Sequence, residues 1–279
     1  VTATFNQIEN ADVAIVIGAN PTENHPVAAT FFKQFAKRGG KLIVMDPRGQ
    51  ALKRHASHML QFRPGTDVSM LNAIMHVIVE EKLYDQQYIE AYTENWEIEK
   101  AHLKTFTPEK MSKICGIDAE VLRDVARTFA GANAAMIFWG MGISQHIHGT
   151  DNSRCLISLA LMTGQIGRPG AGLHPLRGQN NVQGASDAGL IPMFLPDYQP
   201  VSDDGVRSAF TEVWKSGDFS NKKGLTVTEI MDAVHDGDIR SMYVLGENPA
   251  MSDPDVEHAR DALAKLDHLV VQDIFLTET

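Results

Sequence analysis

Cysteine is nearly absent: the 279 residues hold two, Cys115 and Cys155, with no C-x-x-C pair. A structural zinc site, an iron–sulfur cluster and a disulfide framework are therefore all unsupported, and both thiols read as reduced and buried. Positive charge is also short. Twenty-five Lys and Arg face 35 Asp and Glu, for a formal charge of −10, so the surface is unsuited to nucleic acid and any anionic ligand has to meet local positive groups. No apolar run reaches the roughly 18 residues of a membrane span, and neither a basic leader nor an apolar h-region precedes the first strand. The G-x-x-x-x-G-K-[ST] loop and the G-x-G-x-x-G fingerprint are missing too, which disfavours phosphate-loop enzymes and ordinary dinucleotide dehydrogenases. The chain opens at Val1 and stops at Thr279 just after a strand; it reads as a segment of a longer, cytoplasmic protein.

What is present alternates strand and helix. Val13 to Ile17 is a β-branched run stopped by Gly18, and Lys41 to Met45 is a second strand ending at Asp46. Between them Pro26 starts a helix on which Val27, Phe31 and Phe35 share a face. A unit of this length predicts a parallel crossover rather than a hairpin. A third strand at Met59 to Phe62, the turn RPGTD and a helix from Asp67 to Leu83 follow. Helices from Thr107 to Gly116 and from Asp118 to Phe129, a strand at Ala134 to Trp139 and an apolar helix from Asn152 to Thr163 continue the pattern. Leu190 to Lys223 is irregular, with a short helix near Arg207 to Trp214. A helix at Thr228 to Val234, a strand at Met242 to Leu245, a helix from Pro254 to Leu266 and a strand at Leu269 to Gln272 close the chain. The fold class is α/β: a doubly wound, mostly parallel sheet domain over residues 1–179, then part of a second, pseudo-symmetric α/β domain over 180–279.

The two ends repeat each other. Gly18, Asn20, Pro21 and Pro26 recur 228 positions on as Gly246, Asn248, Pro249 and Pro254, and the next strands end at Asp46 and Asp273. A glycine clearing the strand end, a helix amino terminus and a carboxylate at the neighbouring strand tip together suit a nucleotide. The alternative is two similar turns in two α/β halves.

Between the repeats lies Gly170 to Gly189, with five glycines, a run of amides, one arginine and almost nothing that could fill a core. Glycine admits close backbone approach and a lone arginine offers a planar fork to an anion, which makes Arg177 a substrate-facing candidate. A surface loop with a solvated arginine is the other reading.

The segments IGANPTENHP, VMDPR, FWGMGISQH, LMTGQIGRPGAG, LRGQNNVQG, LGENP and VVQDIF resemble the large subunit of molybdenum- or tungsten-dependent formate dehydrogenases, across essentially the whole chain. LRGQNNVQG is the most discriminating of them. The resemblance implies a bis(molybdopterin guanine dinucleotide) cofactor lying between two pseudo-symmetric domains. In the family's pattern Gly18, Asn20, Glu23, Asp46, Arg48 and, from the RPGTD turn, Arg63, Gly65 and Asp67 hold one nucleotide. Gly246, Glu247, Asn248 and Asp273 hold the other, and Met141, Gln145 and Gln179 lie against the pterins. Glu23 stands where an aspartate is common. Arg177 matches the arginine that orients formate. The family's metal-binding cysteine or selenocysteine, the histidine after it and an iron–sulfur cluster have no counterpart in these residues. The segment alone is therefore expected to be inactive, completed by the rest of the same subunit and served by electron-transfer subunits carrying iron–sulfur or flavin centres.

No metal site is read from the residues themselves. His146 and His148 alternate on a loop with no carboxylate or thiol partner, which suits solvent or pocket lining better than metal. His174 could titrate near a substrate or pack in a turn, and Asp187 could be a pocket acid. Two other functions stay open: a related molybdopterin enzyme acting on another small oxyanion, and a non-catalytic nucleotide-binding or structural module of an electron-transfer complex.

Overall fold

The computed structural model describes residues 1–279, which divide into two compact units, Val1–Asn180 and Asn181–Thr279. In the first unit β1 (Val13–Ile17), β2 (Lys41–Met45), β3 (His58–Leu60), β4 (Ala135–Trp139) and β5 (Gly172–Pro175) form one sheet ordered β3-β2-β1-β4-β5. Every neighbouring pair is parallel. The sequence VAIVI explains why β1 is central. Its residues are at most 2% exposed, since a strand covered on both faces has apolar side chains at every position. Val13, Ile15 and Ile17 enter one core with Ile43, Met45 and Ile137. Ala14 and Val16 enter the other with Leu42, Val44 and Phe138.

Nine helices cover this sheet: α1 (Pro21–Asn24), α2 (Pro26–Lys37), α3 (Asp67–Glu80), α4 (Gln86–Tyr92), α5 (Trp96–Leu103), α6 (Pro108–Cys115), α7 (Ala119–Ala130), α8 (Met141–Ser144) and α9 (Gly149–Met162). The α6 and α7 starts are the expected caps, in which Thr107 accepts from the Lys110 amide and Asp118 from the Glu120 amide; such a cap contributes about 1 kcal/mol. On α2 the buried stripe is rotated by one position. Ala29, Phe32 and Phe35 face inward while Val27 is 74% exposed, because Phe32 meets Phe138 edge to face at 4.9 Å beneath the sheet. Helix α3 is buried continuously from Met70 to Ile78, as befits a helix packed against α5, α6, α7 and α9 at once. Neither α4 nor α5 was anticipated.

The glycine-rich stretch corrects the expectation that it fills no core. Ala171, Leu173 and Leu176 are buried, and Gly172 to Pro175 is the edge strand β5. Gly172 has a φ of +150°, and a Cβ there would lie 2.5 Å from that of Ala3. The missing side chain lets the amino-terminal segment close on the edge, where the Thr2 amide donates to Leu173 O at 2.9 Å.

The second unit holds α10 (Val182–Asp187), the two-residue antiparallel strands β6 (Phe194–Leu195) and β7 (Gln199–Pro200), α11 (Asp204–Trp214), α12 (Val227–His235), β8 (Ser241–Leu245), α13 (Pro249–Ser252), α14 (Val256–Lys265) and β9 (His268–Gln272). β8 and β9 are parallel, and α12 and α14 supply Met231, Val234, Ala259, Ala262 and Leu263 to its core. Helix α14 starts two residues later than Pro254, because Asp255 adopts a left-handed φ of 50° and caps it by accepting from the His258 amide.

Candidate functional site

The carboxyl ends of β1, β2, β4 and β5 open onto a cavity of about 730 Å³. This is the side of a doubly wound sheet, beside the reversal of strand order at β1 and β4, where ligands bind. Its floor is backbone. Gly18, with φ of +57°, accepts at its carbonyl from the Gly142 amide at 3.0 Å. A Cβ on Gly18 would lie 2.8 Å from Gly142 C, and one on Gly142 would lie 2.7 Å from Gly18 O. The loops after β1 and β4 cross in van der Waals contact because neither carries a side chain there.

Each strand tip adds a wall: Ala19, Asn20, Asn24 and His25 after β1, Asp46 to Arg48 after β2, Gly65 and Asp67 at the start of α3, Met141 and His146 after β4, and Leu176, Gly178 and Gln179 after β5. The two carboxylates differ. Asp46 accepts from the Arg48 amide at 2.7 Å and from Gln50 Nε2 at 3.2 Å, so much of its acceptor capacity organises its own loop. Asp67 is 2% exposed and receives no hydrogen bond from another residue's side chain. Burial pushes both acids above the usual aspartate range, opposed at Asp46 by the hydrogen bonds from Arg48 and Gln50 and at Asp67 by its own amide and the nearby His146. The Arg48 guanidinium is exposed at the wall and makes no ion pair with a neighbour.

Not every expected residue joins this wall. Glu23 lies exposed on α1, and Gln145 is the exposed residue that ends α8. Arg63 turns the other way: its guanidinium donates to Lys113 O at 2.8 Å and Ile114 O at 3.3 Å, satisfying carbonyls that the end of α6 leaves free. Arg177 lies between wall residues without lining the cavity itself. Its side chain is exposed and unpaired, while its carbonyl accepts from His25 Nε2 at 2.6 Å. His174 is held in packing, with Nδ1 on Ala3 O at 2.9 Å and its ring against Phe5 and Phe138. His148 lines a neighbouring hollow with Asp67 and Asp151, no group of three potential ligands forms a metal site, and Asp187 is exposed at the end of α10.

The second repeat builds the same turn. Gly246 has φ of +66°, and its amide donates to Gln272 O at 2.9 Å, as that of Gly18 donates to Met45 O at 3.1 Å. Asn20 and Asn248 have φ/ψ of −116°/78° and −125°/67°. Around the second turn the chain's own groups occupy the polar atoms. Asn248 Oδ1 accepts from Thr279, its Nδ2 donates to Glu278, and Asp273 accepts from the Ile274 amide at 2.6 Å. Glu247 is exposed beside them. Gln50 and His25 escaped the sequence reading. Only the place of His25 before the recurring proline marked it out.

A glycine floor, a free cation, a free buried acceptor and a volume within the range of cofactor sites fit a phosphate-bearing heterocycle. The chain matches the Molybdopterin oxidoreductase family over residues 1–279. It belongs to that family, whose cofactor is a molybdopterin with molybdenum or tungsten. It is 45% identical over 278 residues to the F420-dependent formate dehydrogenase subunit alpha of Methanocaldococcus jannaschii, covering 100% of this chain and 41% of that protein. To formate dehydrogenase H of Escherichia coli it is 38% identical over 275 residues, covering 99% and 38%. The chain thus spans about two fifths of these relatives' length. Acetylene hydratase from Pelobacter acetylenicus shares the fold with a TM-score of 0.70 at 22% identity, over 97% of this chain and 39% of that one.

Proposed function

We propose that this chain is the central part of a formate dehydrogenase catalytic subunit that oxidises formate to carbon dioxide. The observation that carries the reading is Arg177, exposed and with its guanidinium unpaired, between Leu176 and Gly178 of the cavity wall, in a chain whose relatives are named formate dehydrogenases along its full length. The cofactor is proposed to be bis(molybdopterin guanine dinucleotide), which when bound supplies the two-electron acceptor for formate. In the first unit Asp67 accepts from the guanine N–H groups, Arg48 meets phosphate, and Asn20, Asp46 and Gly65 shape the pocket. In the second unit Gly246, Glu247, Asn248 and Asp273 serve the other nucleotide. Met141 and Gln179 face the pterin side. The resemblance also assigns Glu23, Gln145 and Arg63 to the cofactor, and none of the three lines the cavity in this structure.

Arg177 performs the substrate step available to this chain. Formate has one charge and two equivalent oxygens, and a guanidinium holds both with parallel N–H donors, leaving the C–H bond directed away from the arginine. Lysine keeps the charge and loses the fork. An iron–sulfur cluster elsewhere in the subunit, electron-transfer partners with iron–sulfur or flavin centres, and a cytoplasmic location complete the proposal. No helix is long and apolar enough to cross a membrane. In the full-length, cofactor-loaded subunit, Arg177→Lys is expected to lower turnover as well as raise KM for formate. Parental kinetics at equal molybdenum content would overturn the assignment.

A further inference from the structure

We infer that His25 is a positioning residue that holds the Arg177 loop to the turn after β1, and so ties the substrate arginine to the wall of the nucleotide cavity. The inference rests on the formate-binding role proposed for Arg177, but the tie itself is a property of the fold.

His25 sits on a rigid joint. Its own amide donates to Pro21 O at 3.0 Å and its carbonyl accepts from the Ala29 amide at 2.9 Å, so the residue ends α1 and starts α2. Pro26 after it restricts its backbone further, and φ/ψ is −138°/61°. From this joint the ring reaches a carbonyl 152 positions away, with Nε2 at 2.6 Å from Arg177 O. A carbonyl only accepts, so Nε2 carries the proton. Nδ1 is then buried without a partner, a cost that the fold tolerates at this one tautomer.

The other end of the tie has little else to hold it. The Leu176 amide donates to Trp139 O at 2.7 Å as the last bond of the β5 edge, and the next bond of the main chain beyond Arg177 forms at Asn181. His25 is thus the one hydrogen-bonding partner of Arg177, whose guanidinium stays free for an anion. Asn24 and His25 line the cavity on one side, with Gly178 and Gln179 on another. A ligand between them presses on both ends of the tie, which gives the cavity a direct mechanical route to the arginine.

The test compares two variants in the full-length, cofactor-loaded subunit. His25→Gln keeps an N–H donor where Nε2 was, while His25→Phe keeps ring volume and loses the donor. The phenylalanine variant is expected to raise KM for formate about tenfold and lower kcat at unchanged molybdenum content, with the glutamine variant within about threefold of the parent. An Arg177→Ala background should abolish the difference between the two. Amide exchange at Leu176, whose N–H is held by Trp139 O next to the tie, read by mass spectrometry, should speed up at least tenfold in His25→Phe and stay parental in His25→Gln. Exchange in this loop does not depend on formate chemistry. If Arg177→Ala leaves formate turnover intact while exchange follows the pattern, the formate reading fails and the tie stands. Equal exchange in parent and His25→Phe, or equal impairment in both variants, overturns the tie. Should His25→Phe fail to fold, His25→Asn, whose amide is too short to reach, replaces it with the same expectations.

Discussion

Gln50 fastens Asp46 to the neighbouring loop: its Nε2 donates to Asp46 Oδ2 at 3.2 Å and to Ala19 O at 2.6 Å. The side chain is 6% exposed, so its removal takes one buried donor from both acceptors at once. Gln50→Leu is expected to cost about 1 to 3 kcal/mol and to lower cofactor retention. Thermal melting and molybdenum content of the full-length subunit measure the two effects, and a variant matching the parent in both would show that the loops hold without it.

Asp67 predicts a trade of stability against binding. Its folded pKa is raised by burial, so the ionised form is favoured in the unfolded chain. Stability is therefore lost as pH rises from the ordinary aspartate value near 3.9 to the raised folded one. Above that window the charge is a standing cost in the ligand-free protein. Asp67→Asn is expected to raise the melting temperature of cofactor-free protein at neutral pH while weakening cofactor retention. A lower melting temperature would mean the carboxylate has an unseen favourable partner.

Cys155 carries the largest shift, its thiol pushed up to about 12 by burial, with Glu99 and Asp151 adding to it. It should resist iodoacetamide at pH 8 in native protein and react only on unfolding. Because the folded pKa lies above the ordinary thiol value of about 8.5, stability falls as pH rises between the two, by at most about 1.4 kcal/mol per pH unit from this group. Cys155→Ala should flatten that part of the alkaline stability profile.

Phe32 anchors the second core, fully buried and edge-on to both Phe5 and Phe138. Phe32→Ala is expected to cost about 3 to 5 kcal/mol, measured by urea unfolding. A loss under about 1 kcal/mol would mean that the core refills the cavity.

The central strands were legible because VAIVI is apolar at every position and KLIVM at every position after Lys41, a pattern that a strand covered on both faces demands. The repeated turn was legible because Gly and Asn before Pro mark the same backbone twice. β5 was not, since its glycine and proline read as loop, and only its pairing with β4 across the sheet makes a strand of it. The contact of Arg63 with the end of α6 was not legible, because the carbonyl that accepts from its guanidinium is 50 residues further on. His25 and Arg177 meet across 152 residues, a pairing that no local pattern records.

The crossing of Gly18 with Gly142 also limits how this site can be remodelled. A methyl group on either glycine would have to displace main chain, whereas at Gly246 nothing lies within 4 Å of an added Cβ and only its left-handed φ resists. The two copies of one turn therefore differ in what they tolerate. A designer seeking a different occupant for the first cavity has no freedom in its base. New shape and polarity have to come from the rim, at Arg48, Met141 and Gln179, whose side chains can be exchanged without moving a strand.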